Sequence, residues 1–519
     1  MPDGDGGLQF PPRQPSSTPE ESRLITAEQF AALAAQGHTL VPVVREVLSD
    51  LDTPLSVYLK LADGPHSYLF ESVEGGERFG RHSIIGLPAT RVYEFRGRSL
   101  QVFEHGELVE QREVADPLAE VEALRAAHKV ARIDGLPGFS GGLVGWFGFE
   151  CVELIEPHLG TGDKPDALGT PDILLMESSE VAVFDNLKGR LYLIVHADPR
   201  QPRAWARAQR RLDALAHRLR HAGASYPETL QPAAIDEADF RSSFSRAQYQ
   251  DVVRRAQEYI RAGDIFQVVP SQRLSVPFHA RPVDVYRALR ALNPSPYMYF
   301  IDTGTVQVVG SSPELLARLQ FGADGRGTVT VRPIAGTRPR GATPQADAEL
   351  EAELLADPKE RAEHVMLIDL GRNDVGRVSE PGSVAVRESF AIERYSHVMH
   401  IVSEVSGTLR PGLSYMDVLR ATFPAGTVSG APKIRALEII RELEPVRRNV
   451  YSGAIGYIGW HGDADTAIAI RTAVIADGRL HVQAGGGVVF DSDPYSEWQE
   501  TMNKGRALFR AVAQAARGL

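Results

Sequence analysis

The 519-residue chain carries 56 Lys and Arg against 67 Asp and Glu, a formal net charge of −11, with 43% hydrophobic and 24% charged residues. That is an ordinary globular composition, long enough for roughly two to four domains and for a core that needs no disulfide staple. The single cysteine, Cys151, excludes an intrachain disulfide, a four-cysteine zinc site and a redox thiol pair, and the acidic balance argues against nucleic acid or an anionic membrane as the main partner.

No apolar run approaches the roughly 20 residues of a membrane helix. Residues 1–22 are rich in Pro, Gly and Ser and lack the basic-then-apolar pattern of a signal peptide, so they read as a disordered tail and the expected compartment is the cytoplasm. A first domain is expected over 23–225. Within it HSYLFES (from His66), RVYEF (from Arg91) and SLQVF (from Ser99) are strand-like, and PLAEVEALRAAHK (from Pro117) has helical spacing. EVAVFD (from Glu180) and LYLIVH (from Leu191) read as a hairpin, followed by an Arg/Ala-rich helix from about Pro202 to His221. ASYPETLQPAAIDEA (from Ala224) loses periodicity and marks a boundary.

A second domain is expected over 240–516. It opens with a helix capped by Ser245 and Gln248, with Val252, Val253, Ala256 and Ile260 as its apolar face. VQVV (from Val306), TVTVRPI (from Thr328), AIAIRTAVI (from Ala467) and LHVQAGGGVV (from Leu480) are strand candidates. Strands and helices come in runs, which favours α+β with antiparallel sheets over a doubly wound fold.

Two helices offer paired carboxylates. In DPKERAEHVMLIDLGRND, Asp357 can cap, Pro358 suits the first helical position, Glu360 can close a capping box, and Glu360 and Glu363 share a face. In SEWQETMNKGR, Ser496 and Gln499 form a capping box and Glu497, Glu500 and Lys504 share a face. Together they could hold a hard divalent cation such as Mg²⁺, which takes oxygen ligands. Acidic first turns that oppose the helix dipole are the plainer alternative.

AGGGVVF (from Ala484) and GTVSGAPK (from Gly426) break off before the last glycine that a dinucleotide or P-loop motif needs, which disfavours nucleotide. Glycine N–H groups remain open to a carboxylate. Arg471 interrupts an apolar strand and needs a partner or an anionic ligand. His400, in SHVMHIVSEV, reads as a core residue or a catalyst. Cys151 lies among aromatic and apolar residues and reads as an inert thiol. With no Gly-x-Cys-x-Gly elbow, the chain cannot hydrolyse glutamine by the usual thiol route.

Taken in order, these stretches resemble the chorismate-utilising enzymes, most closely the anthranilate-forming members. The resemblance is carried by IFQVVPSQR (from Ile265), NPSPYMYF (from Asn293), GSSPELLARL (from Gly310), RPIAGTRPRG (from Arg332), the Asp357 helix, RYSHVMHIVSEV (from Arg394), FPAGTVSGAPKIRA (from Phe423), YSGAIGYIG (from Tyr451), IAIRTAV and QAGGGVVFDSDPYSEWQETMNK. It is looser in the first half, through ESVEGGERFGRHSIIG (from Glu71) and GGLVGWFGFE (from Gly141).

The resemblance implies a two-domain antiparallel-sheet α/β sandwich with flanking helices, converting chorismate and ammonia to anthranilate and pyruvate. It implies Glu363 and Glu500 as Mg²⁺ ligands, supported by Glu360 and Glu497. It places Gly336, Thr337, Tyr451, Arg471, Gly485, Gly486 and Gly487 against chorismate, with Lys504 and Thr427 nearby. Glu314 is similar to the family's general acid at the departing C4 hydroxyl, and His400 to the histidine of the lyase half-reaction. Gln267 stands where water-using relatives carry a lysine base, and Ala335 where many aminodeoxychorismate synthases carry a lysine. Glu71, Ser72, Pro296, Tyr297 and Met298 are similar to a tryptophan feedback pocket. The implied partner is a glutamine amidotransferase subunit, in a heterotetramer. The alternatives are component I of aminodeoxychorismate synthase and a catalytically silent regulatory subunit that binds aromatic amino acids.

Overall fold

The computed structural model describes residues 24–72, 81–160, 164–223, 232–395 and 398–519. The tail read at 1–22, most of the boundary segment, the stretch 73–80 of the first-half motif, and Ser396 and His397 lie outside the described residues.

Two large sheets dominate, of 11 and 12 strands. In the first, Tyr297–Asp302 pairs antiparallel with Ser67–Glu71 on one side and Val306–Ser312 on the other. Thr472–Ala476, Arg479–Gly485 and Ser271–Pro277 follow in order. In the second, Ala454–Gly459 pairs antiparallel with Gly142–Phe147 and with Ala464–Ile468. Both sheets therefore run across the boundary read between 225 and 240: each takes strands from both stretches of the chain.

The layers follow from strand alternation. In Thr472–Ala476, Ala473 and Ile475 face one core while Val474 and Ala476 face another. The second of these cores lies between the sheets, where Tyr68, Tyr299 and Val308 meet Trp146, Leu174 and Ile455. The outer face of the 11-stranded sheet is covered by helices Ala204–His221, Pro282–Leu292 and Pro494–Arg517. Helices Arg246–Arg261, Tyr415–Thr422 and Lys433–Leu443 cover the other sheet. The result is an α+β sandwich of antiparallel sheets flanked by helices. Burial on both sides explains why the central strands read as almost continuous apolar runs.

Three local readings change. AIAIRTAVI is not one strand: Ala464–Ile468 belongs to the 12-stranded sheet and Thr472–Ala476 to the other. Arg471 sits at the crossing, with φ +49°. The last helix starts at Pro494, capped by Asp493 rather than Ser496, whose N–H donates to Asp493 Oδ1 at 2.9 Å. The helix after Asp357, whose pattern predicts an end near Gly371, runs to Gly376. Asp357 caps it, but Glu360 turns its carboxylate towards Arg338 and does not close a capping box. The Ser245–Gln248 box and the hairpin at 180–197 form as read.

Candidate active site

A cavity of about 740 Å³ opens between the sheet ends and the two acidic helices. Gln267, Glu314, Gly336, Thr337, Glu360, Glu363, His400, Thr427, Tyr451, Arg471, Gly485, Gly487, Glu497, Glu500 and Lys504 all line it. Gln267 and Lys504, 237 positions apart in sequence, thus share one chamber.

Helix Pro358–Gly376 contributes Glu360 and Glu363. Asp357 accepts from the N–H groups of Lys359 (2.9 Å) and Glu360 (3.2 Å), fixing the first turn against the cavity. Burial, then the neighbouring charge of Glu363, raises the Glu360 pKa, and Arg338 opposes them. Helix Pro494–Arg517 contributes Glu497, Glu500 and Lys504. Lys504 Nζ lies 2.7 Å from Glu500 Oε1 and donates to the Gly485 carbonyl at 3.0 Å. Glu497 Oε1 accepts from Ser492 Oγ at 2.6 Å, whereas its Oε2 is buried with no hydrogen-bond partner among the described residues. Burial raises the Glu497 pKa, Glu500 adds to the rise, and Lys359 opposes it from the facing helix.

No three His, Cys, Asp or Glu side chains among the described residues are gathered closely enough to enclose a metal by themselves. Four carboxylates on two facing helices, one with an orphaned oxygen, instead suit a hard ion that keeps water or substrate oxygens in its shell.

Glu314 lies in the turn between strands Val306–Ser312 and Leu315–Phe321, where Ile468 N–H pins its carbonyl at 3.0 Å. Burial pushes its carboxyl up to about 8, against the pull of Thr427, Arg471 and Lys504. Thr427 Oγ1 is close enough to favour the charged form without making a well-formed hydrogen bond. Glu314 is thus mainly protonated at neutral pH and can donate. Arg471 has no carboxylate within salt-bridge distance among the described residues. Burial lowers its pKa, while Tyr395 and Glu314 favour its charge. A partly buried guanidinium with no carboxylate partner among the described residues suits an anion.

His400 Nδ1 lies 2.9 Å from the Gly336 carbonyl and 3.1 Å from Thr337 Oγ1. A donated Nδ1–H leaves Nε2 as the basic nitrogen. Burial lowers the His400 pKa, which favours that neutral form. One ring nitrogen of His400 is satisfied in the strand, and the residue lines the cavity.

The three glycines serve close packing. A Cβ on Gly485 would lie 3.1 Å from Tyr451 Oη, one on Gly486 3.0 Å from Glu497 Oε2, and one on Gly487 2.7 Å from Gln267 Nε2. Gly486 is not part of the cavity wall, and its N–H donates to the Pro270 carbonyl at 3.2 Å. A row of three free N–H groups is therefore not what the sequence GGG provides.

None of Glu71, Ser72, Pro296, Tyr297 and Met298 lines the cavity, and Met298 lies directly opposite Glu71 across a strand pair. Glu71 accepts from Arg290 Nε (3.0 Å) and Nη2 (3.1 Å) and from the Tyr286 hydroxyl. The Tyr297 hydroxyl accepts from Arg318 Nη2 at 3.1 Å, and Met298 is buried. The loop before Pro296 carries Asn293, Pro294 and Ser295 into the cavity wall, so one segment touches both places.

Sequence reasoning missed Lys359, Gln483, Asn503, Tyr395, Asn293 and Ser295. Asn503 follows Glu500 by three on the same helical face, and Gln483 shares a strand face with Gly485, so periodicity could have found both. Asn293 and Ser295 reach the cavity through a loop and carry no local signal.

A charged chamber at the sheet ends of an α+β sandwich, with Arg471 and Lys504 beside four carboxylates, is that of an enzyme acting on a small anionic substrate. The profile described as chorismate binding enzyme matches residues 66–510, and the chain belongs to that family. Anthranilate synthase component 1 of Pseudomonas putida is 58% identical over 495 residues, covering 94% of this chain and 98% of the relative. The crystal structure of anthranilate synthase component I from Streptococcus pneumoniae TIGR4 superposes with a TM-score of 0.73 at 37% identity, over 89% of this chain and 98% of that one. A menaquinone-specific isochorismate synthase from Escherichia coli shares the fold, with a TM-score of 0.67 at 18% identity over 94% and 98% of the chains. No helix among the described residues is long and apolar enough to cross a membrane.

Proposed function

We propose that the chain is the large subunit of an anthranilate synthase, converting chorismate and ammonia to anthranilate and pyruvate in the cytoplasm. The observation that carries this reading is the pairing, in one cavity, of a buried protonatable Glu314 with an Arg471 that has no carboxylate within salt-bridge distance among the described residues. Arg471 and Lys504 receive the substrate's carboxylates. Glu363 and Glu500, backed by Glu360 and Glu497, fit Mg²⁺, which when bound supplies Lewis-acid polarisation of the ring carboxylate. Glu314 passes its proton to the C4 oxygen as ammonia adds at C2. His400 Nε2 then takes the C2 proton as the enolpyruvyl group leaves and the ring becomes aromatic.

Gln267 supports an amine nucleophile. Its amide donates to Glu363 Oε1 at 3.5 Å and cannot act as the base that would activate water. Ala335 in the cavity wall leaves no lysine there, which supports amination at C2 over C4. The buried Cys151 donates to the Asp172 carbonyl at 3.3 Å, and burial pushes its thiol pKa up. Ammonia therefore comes from solution or from a glutamine amidotransferase partner, in a heterotetramer. Glu71, Ser72, Pro296, Tyr297 and Met298 are proposed as a tryptophan feedback site acting through the 293–296 loop.

Purified protein incubated with chorismate, Mg²⁺ and ammonium should produce fluorescent anthranilate and pyruvate together. Folded protein yielding neither would support the silent regulatory subunit. An aminated product that still requires an added lyase would support aminodeoxychorismate synthase.

A further inference from the structure

Glu314, Leu367 and Thr427 wall a second, smaller cavity as well as the main one. It measures about 50 Å³. At roughly 10–15 Å³ of such space per water, that holds a few water molecules, and it is far smaller than the main cavity. Its rim is formed by Leu370, Ala425 and Gly426, all partly exposed. Its polar lining is Asp374, paired with Lys433 at 3.1 Å, together with Arg332 and Thr422. In the partition, Thr427 Oγ1 is buried with no hydrogen-bond partner among the described residues. Buried hydroxyls are normally satisfied by protein or by ordered water. Glu314 is itself almost wholly buried, so a substrate filling the main cavity would cut it off from solvent on that side.

We propose that this chamber is the water port of Glu314. The inference rests on the reading of Glu314 as the acid at C4. The carboxyl proton moves to the C4 oxygen, the C4–O bond breaks with its electron pair on oxygen, and water departs through the port. Ammonia added at C2 is an ammonium until it sheds one proton to solvent. Glu314 regains one proton through the chamber, so the turnover consumes none. The port admits water and its protons, and chorismate enters only by the main cavity.

Leu370→Phe and, separately, Ala425→Val narrow the rim without touching the main cavity. Steady-state rates with ammonia as nitrogen source are measured in H₂O and D₂O, with thermal melting to verify folding. In each folded variant kcat should fall about fivefold or more and its solvent isotope effect should grow, while KM for chorismate and for ammonia stay unchanged. Unchanged kcat and isotope effect in either folded variant overturn the port. A raised KM for ammonia with an unchanged isotope effect overturns it in favour of an ammonia inlet. Full turnover by Glu314→Gln would instead overturn the acid assignment, which the rim variants do not test.

Discussion

Arg448 Nη2 lies 2.6 Å from Glu444 Oε1, and the two side chains are 1% and 3% exposed. The same guanidinium donates to the carbonyls of Val269 and Val428, both at 2.7 Å, and lies 5.6 Å from the ring centre of Tyr451. Val269, Val428 and Tyr451 all line the cavity, so one buried ion pair ties three of its walls together. Arg448→Met would leave the Glu444 carboxylate without its counter-ion and should cost about 3–5 kcal/mol. Urea denaturation checks this, and Glu444→Gln combined with Arg448→Met should recover part of the loss.

Glu314 gives a pH signature. Its carboxyl is raised from 4.5 to about 8, so the protonated form is favoured in the folded state. The associated stability is fully present below the unfolded value and is lost as pH rises through about 8. Turnover should fall over the same upper range as the acid is lost. Glu314→Gln should lower kcat by about 10²–10⁴ and flatten the decline in melting temperature between about pH 4.5 and pH 8. A pH–rate profile and melting curves of both proteins test it.

Glu500→Gln should abolish anthranilate formation with little change in melting temperature, because its partly exposed side chain supports no core contact. EDTA should stop the wild-type enzyme and added Mg²⁺ restore it. Full activity in Glu500→Gln would remove that carboxylate from the metal assignment.

Gly336 has φ +67°, and an added Cβ would lie 3.0 Å from Leu354 Cδ1 and 3.2 Å from Glu360 Oε2. Gly336→Ala should cost about 1–2 kcal/mol from the left-handed backbone alone. The larger effect should be on kcat, since the Gly336 carbonyl holds His400 and the new methyl meets Glu360. Comparing kcat with unfolding free energy separates the two.

Feedback gives the last test. Ser72→Ala should weaken tryptophan inhibition while leaving uninhibited turnover intact. Arg290→Met would leave Glu71 with only Tyr286 among the described residues, and since Arg290 is partly exposed it should cost about 1–3 kcal/mol. Inhibition curves for Ser72→Ala that match wild type would move the pocket elsewhere.

Much of this protein is written locally. Period-two and period-3.6 patterns place the 180–197 hairpin and the Ser245 helix, because alternation and capping depend on neighbours a few residues away. The spacing of Glu360 with Glu363, and of Glu497 with Glu500, puts each pair on one helical face for the same reason. The family motifs in turn brought most of the cavity residues to notice.

What the tertiary structure decided is non-local. Arg471 looks like a charge inside a strand until Ala464–Ile468 and Thr472–Ala476 are seen to enter different sheets. The three glycines suggest free N–H groups until Tyr451, Glu497 and Gln267 are seen packing against them. Asn293 and Ser295 reach the cavity through a loop, and Glu314 separates two cavities, because sheet pairing between distant segments sets those positions. The sequence by itself picked out most of the residues proposed for the chemistry, because their motifs are local. Only packing across both sheets decided which of them face one another, because burial and hydrogen-bond competition depend on neighbours hundreds of residues away.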